Sequence, residues 1–253
     1  MRSIIMGLTA ALCAAVAIAE DSGAKKSAAE MREAVLRKTG GFVVAPATGR
    51  GIRLVDAKSG APKAALEKFV KTVATGPRFS VAITDGDSAE RYMPNEEWGA
   101  VIVIKNDPAC PMTILTAPEQ GWASVNIAPL RADSPDDERL QQRVCKEVWR
   151  ALVYMLGGGN NQMPACVMKP CAGNKDIDDL KMEQPCPDPF REMGLSASKL
   201  GIAQAKLTSY RKACVEGWAP APANDYQKAI WDEVHAMPTE PIKIKPEEKK
   251  TEK

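Results

Sequence analysis

The sequence predicts an α+β domain built on a mixed sheet, and three observations carry that reading. Residues 51–57, 79–83, 98–104, 113–116 and 123–127 are short apolar runs of strand length and strand patterning. One longer amphipathic segment, residues 138–156, follows them with its apolar residues at helical spacing. Past that segment the chain becomes loop-rich and holds cysteines among prolines. Strands gathered before the main helix fit an α+β order better than a strictly alternating one.

Residues 28–38 have helical character. The run GIRLVDA (51–57) reads as a strand, and PKAALEKFVKTV (62–73) reads as a helix with Ala65, Leu66, Phe69, Val70 and Val73 as its apolar stripe. Residues 79–83 alternate as a strand. The almost continuous apolar run WGAVIVI (98–104) is that of a strand buried on both faces. Two further strands, 113–116 and 123–127, lie on either side of Pro118 and Gly121. The acidic DSPDD (133–137) is a helix start, because carboxylates suit the positive end of a helix dipole. The helix over 138–156 turns Val144, Val148, Leu152 and Met155 to the core, and the run Gly157-Gly158-Gly159 stops it. A last helix is expected over 226–234, after an extended stretch at 217–222.

The ends differ from the middle. Arg2, the apolar run 4–16 and the small-x-small Ala17-Ile18-Ala19 have the form of a secretory leader cleaved after Ala19. The run is short for a membrane span. The expected organisation is therefore leader 1–19, flexible segment 20–48, folded domain 49–235 and a charged, disordered tail 236–253. The expected location is periplasmic or secreted. Cys13 leaves with the leader, so the mature chain holds Cys110, Cys145, Cys166, Cys171, Cys186 and Cys214, an even set that suggests disulfides in an oxidising compartment. A formal net charge of +2 gives no field for nucleic acid or anionic lipid, and no second run of membrane length occurs.

One constellation carries chemistry. The helix stopped by Gly157 is followed by Cys166-Val167-Met168, and seventeen residues later by Cys186. This spacing resembles the archaemetzincin branch of the metzincin metallopeptidases, whose signature is HExxHxxGxxHC, four residues, CxM, seventeen residues and CxxC. Gly157 stands at the family's glycine, Cys166 and Met168 at its CxM, and Lys146-Glu147 at a Lys-Glu that often precedes the motif. The resemblance implies a metzincin-like fold over roughly residues 50–190, with a mixed sheet, the former active-site helix and a cysteine-containing C-terminal subdomain.

The chemistry departs from that pattern. A peptidase of this type holds one Zn²⁺ with three imidazoles and uses a carboxylate on the bound water. Those positions are Arg150, Tyr154 and Asn160, with Ala151 at the base position. A guanidinium stays protonated and cannot ligate zinc. His235 is the sole histidine, so no three-imidazole site can form in one chain. Glu147 falls one turn too early to replace the base; its expected partner is Arg150, three residues on. The family's second zinc site would draw on Asn161, Cys166, Cys186 and Pro189, and only the two cysteines remain. What the resemblance implies there is a Cys166–Cys186 disulfide, with Cys171 as competing partner and a Zn²⁺ shared by the three cysteines as the other possibility.

The leading expectation is thus a non-catalytic, exported pseudo-peptidase that needs no cofactor and binds a peptide or protein. Arg150, Tyr154 and Asn160 would floor its cleft and Met168 would pack in the core. Arg150 either grips a ligand carboxylate or fills the hole. A competing expectation is an enzyme of other chemistry, with Tyr154 moving protons at a titration lowered by Arg150.

Overall fold

The structure is a computed structural model and describes residues 27–45, 47–87 and 91–236. Residues 1–19, with the expected cleavage after Ala19, and the tail beyond 236 lie outside the described residues. A five-stranded sheet is ordered β3 (Val81–Asp85), β2 (Gly51–Asp56), β4 (Trp98–Lys105), β6 (Trp122–Asn126), β5 (Ile114–Ala117). The first four run parallel, and β5 lies antiparallel to β6 at the sheet's end. Helix α1 (Ala28–Thr39) and strand β1 (Phe42–Val44) precede this sheet.

Strand alternation divides the sheet into two faces. Ile52, Leu54, Ala100, Ile102, Ile104, Ala123 and Val125 turn to one face and pack with α2 (Lys63–Thr75) and α3 (Asp137–Met155) in one core. The expected stripe of α2 is the buried one, with Ala65, Leu66, Phe69 and Val73 inside. Trp149 of α3 anchors the layer, edge-on to Phe69 at 5.3 Å and to Phe190 at 5.8 Å. Asp136 caps α3 by accepting from Arg139 N at 2.8 Å. Gly157 ends it at φ 76°, a left-handed conformation that favours glycine, and donates its N–H to Tyr154 O at 3.0 Å.

The region after the glycines contains more helix than its prolines suggest. It holds α4 (Asn174–Asp179), α5 (Pro187–Lys199) and α6 (Tyr210–Val215), all read from sequence as loop. Pro187 opens the first turn of α5, where a missing N–H leaves no hydrogen bond unmade. The prolines there start a helix instead of interrupting one. Strand β7 (Leu207–Ser209) pairs with β1, and α7 (Asp225–Ala236) closes the described chain.

The chain divides into two compact units. Residues 44–207 contain the sheet, α2 to α5 and the site described below. Residues 27–43 and 208–236 form the other unit, with α1, α6 and α7 around Tyr210, Cys214 and Ile230. The sequence reading placed 49–235 in one domain and 20–48 in a flexible lead. In the structure 28–39 is a helix with a Ser27–Glu30 capping box.

Candidate functional site

Helix α3 carries the site because its stretch from Arg143 to Arg150 is buried and polar at once. Arg143, Lys146, Glu147 and Arg150 all lie inside. Each needs a partner, since a charge taken out of water is costly unless paired or hydrogen-bonded. Arg143 finds Asp133 and Asp178, and Lys146 donates to Ile177 O at 2.8 Å. Burial pushes Lys146 below the usual lysine range.

Arg150 is 7% exposed. Its Nη1 donates to Val167 O at 3.0 Å and to Lys169 O at 2.7 Å, the two carbonyls on either side of Met168. The same nitrogen reaches Cys171 Sγ at 3.3 Å. Its Nη2 donates to Tyr154 Oη at 3.3 Å, and Tyr154 Oη donates to Asn160 Oδ1 at 2.6 Å. The structure therefore joins Arg150, Tyr154 and Asn160, the three positions of the motif, in one hydrogen-bonded chain. Ala151 is buried in the core beside them and offers no proton acceptor.

Met168 is fully buried, and its carbonyl accepts from Asn161 N at 2.9 Å. Arg150 and Asn161 thus hold the Cys-x-Met loop from two sides. Nη1 is committed to the two backbone carbonyls, so the expected grip on a ligand carboxylate through both terminal nitrogens is not open, whereas Nε is not engaged in this way. The expected titration of Tyr154 is also corrected: burial raises its hydroxyl, outweighing the lowering by Arg150. Distance to a cation was readable from the helix register, whereas the loss of solvent was not.

Glu147 Oε1 stands 3.2 Å from Arg150 Nε, the expected pair three residues apart. Both atoms are buried, and neither has an aligned hydrogen-bond partner among the described residues. Burial pushes Glu147 up to about 7, against the lowering effect of Arg150. The two residues line a cavity of about 400 Å³ with Tyr154, Cys171, Pro111 and Asn174.

The six cysteines are thiols here. Cys166 and Cys186 are buried with their sulfurs 2.9 Å apart. Burial and the neighbouring Cys166 push Cys186 up to about 11. Cys171 faces Arg150 and Lys169 O, and no group of three His, Cys, Asp or Glu side chains among the described residues could hold a metal ion. Cys145 sits inside α3, where burial pushes it up to about 12. Cys110 is half-buried, and Cys214 is buried in the smaller unit. The residues at the imidazole positions do not fit zinc either: one is a guanidinium, one a phenol raised by burial and one an amide.

Sequence reasoning missed Lys146 as a buried charge and Arg143 as a second buried arginine. The signal was present, since both recur on the inward face of α3 near Val144 and Val148. No described helix is long and apolar enough to cross a membrane.

The chain matches no family model and no curated protein. Among solved structures it is similar to an archaemetzincin from Methanopyrus kandleri, at 17% identity and TM-score 0.49, over 59% of this chain and 96% of that one. It is also similar to a zinc-dependent peptidase from Methanocorpusculum labreanum, at 14% identity and TM-score 0.44, over 56% of this chain and 100% of that one. A third, an archaemetzincin from Archaeoglobus fulgidus complexed with malonate, shares 12% identity at TM-score 0.42, over 56% of this chain and 99% of that one.

Proposed function

We propose that this chain is an exported, non-catalytic relative of the archaemetzincins whose cleft binds a peptide or protein segment without cutting it. One observation carries the reading. Where the motif would place three zinc-binding imidazoles, Arg150, Tyr154 and Asn160 are hydrogen-bonded to one another. A fixed cation within that set opposes a divalent ion. Two unit charges at about 4 Å repel by about 4 kcal/mol even at an effective dielectric of about 20. Ala151 leaves the general-base position without a proton acceptor.

The binding half of the proposal is supported by the sheet. Among the described residues strand β5 pairs with β6 alone, so one of its edges is unpaired there, and Ile114 of that strand lines the cavity. An extended segment can add to such an edge by main-chain hydrogen bonds. The export half rests on the leader-like residues 1–19 and the even cysteine set of the mature chain. In that setting the Cys166 and Cys186 thiols would join as a disulfide.

The test combines elemental analysis of the mature protein, after dialysis against a weak chelator, with a broad peptide-library digest. The expected result is no retained zinc and no cleavage. Stoichiometric zinc with chelator-sensitive cleavage would sink the reading.

A further inference from the structure

The cavity beside α3 contains one feature that a packed, inert remnant does not need. Glu147 is 3% exposed and lines the cavity, yet its buried Oε1 accepts no hydrogen bond among the described residues. Buried carboxylates normally collect donors, because leaving one without them costs a full desolvation penalty. Oε1 faces Arg150 Nε at 3.2 Å, out of line for a hydrogen bond. Arg150 Nε is likewise without an aligned acceptor. A volume of about 400 Å³ falls in the range of small-ligand sites.

The surrounding groups decide which ligand this pair suits. The charged or titratable residues lining the cavity are Glu147, Arg150, Tyr154 and Cys171. Lys146 turns to Ile177 O, Asp176 accepts from Ala172 N, and Asp178 belongs to Arg143. Residues 111–114 and Pro129 add no charge. With Glu147 ionised, the pair is neutral and Arg150 already has its anion. With Glu147 protonated, Arg150 Nε lacks a counter-charge and the carboxyl becomes a hydrogen-bond donor beside it. The two groups then present a cation and a donor to one incoming anion.

We propose that this cavity is a carboxylate-binding site in which Glu147 and the ligand compete for Arg150, so that the ligand binds together with a proton taken up by Glu147. The proposal rests on the non-catalytic reading of the same cleft. Burial, which already pushes Glu147 up to about 7, places the exchange in the neutral range. The carboxylate could belong to a peptide C-terminus or to a small organic acid, and both present the same group to Arg150.

The experiment is calorimetric titration of the mature chain with N-acetyl-tetra-alanine as free acid, with the same peptide as C-terminal amide, and with propionate. Each is run from about pH 6 to about pH 8.5, in two buffers of different ionisation enthalpy. Above about pH 7 the free acid is expected to bind with uptake approaching one proton, its affinity falling about tenfold per pH unit, and the uptake should fade towards about pH 6. The amide is expected to bind at least about tenfold more weakly than the acid. Glu147→Gln, which imitates the protonated carboxyl, is expected to bind the acid with an affinity flat in pH. Propionate binding as well as the peptide acid would identify a small acid as sufficient; peptide binding alone would identify a chain terminus. Wild-type affinity independent of pH, equal binding of acid and amide, or no binding by either protein would overturn the proposal. Cleavage of the peptide would defeat the non-catalytic reading, while proton-linked binding of propionate, which has no peptide bond, would leave the carboxylate site standing.

Discussion

Two arginines two turns apart on the same helix have opposite surroundings. Every N–H of Arg143 has an aligned acceptor: Asp178 takes Nε and one Nη2 hydrogen, Asp133 takes one from each terminal nitrogen, and Leu130 O takes the last. Arg150 has backbone carbonyls, a phenol, a thiol and a carboxyl that it faces without a hydrogen bond. The first is a closed clamp with its charge over-compensated by two carboxylates that reach solvent. The second is held mostly by neutral dipoles and keeps part of its charge available. Burial alone does not separate the two arginines on this helix; the completeness of the hydrogen bonding does.

The largest expected effect comes from breaking the closed clamp. Arg143→Met leaves Asp133 and Asp178 facing each other without their cation and removes five aligned charge-assisted hydrogen bonds, and should cost about 3–5 kcal/mol in urea unfolding, a few such bonds at about 1.5–3 kcal/mol each. If the cost is below that of Arg150→Met, the comparison is inverted.

Next is the loop that Arg150 holds. A Cys166–Cys186 disulfide should contribute about 2–5 kcal/mol, seen as a higher unfolding midpoint without reductant than with it. Cys186→Ser should abolish the difference. Six titratable thiols in protein from its native compartment would show that Arg150 and core packing hold the loop alone.

The two sites also answer pH with opposite sign. Arg143 holds the carboxyls of Asp133 and Asp178 below the usual range, so their contribution is present above about pH 4 and is lost on acidification. Glu147 is raised to about 7 from 4.5, so the folded state binds the extra proton between those values and stability falls as pH rises through that window. The fall should amount to about 3 kcal/mol at most. Stability measured against pH should lose this downward slope in Glu147→Gln while keeping the acid limb.

The smallest effect belongs to Arg150→Met. It removes the donors to Val167 O and Lys169 O and the cation beside Glu147, which burial then keeps protonated. The expected loss is about 1–3 kcal/mol, the scale for buried carbonyls left unpaired. Zinc acquired by this variant would show that charge alone keeps metal out.

Much of the sheet was legible because its strands obey local rules. The run at 98–104 reads as a buried strand and is one, and DSPDD supplies both the cap and the acidic first turn of α3. The pairing of Glu147 with Arg150 followed from helix register. What failed was non-local. Nothing near Arg143 in sequence announces Asp178, thirty-five residues away, as its partner. Pro187 and Pro189 look like breakers until the direction of the chain makes them the first turn of α5. The titration of Tyr154 depended on solvent exclusion, which charges spaced along a helix do not reveal.

The hold of Arg150 on the carbonyls flanking Met168 also bears on how this chain could change. A lone Arg150→His replacement would bring in one imidazole and at the same moment strip two inward-facing carbonyls of their donor. The intermediate would lose stability before any metal could repay it, because the other positions would still be Tyr154 and Asn160. A metal centre at these positions therefore needs several coordinated replacements. The arginine acts as a latch on the sequences that single mutations can reach.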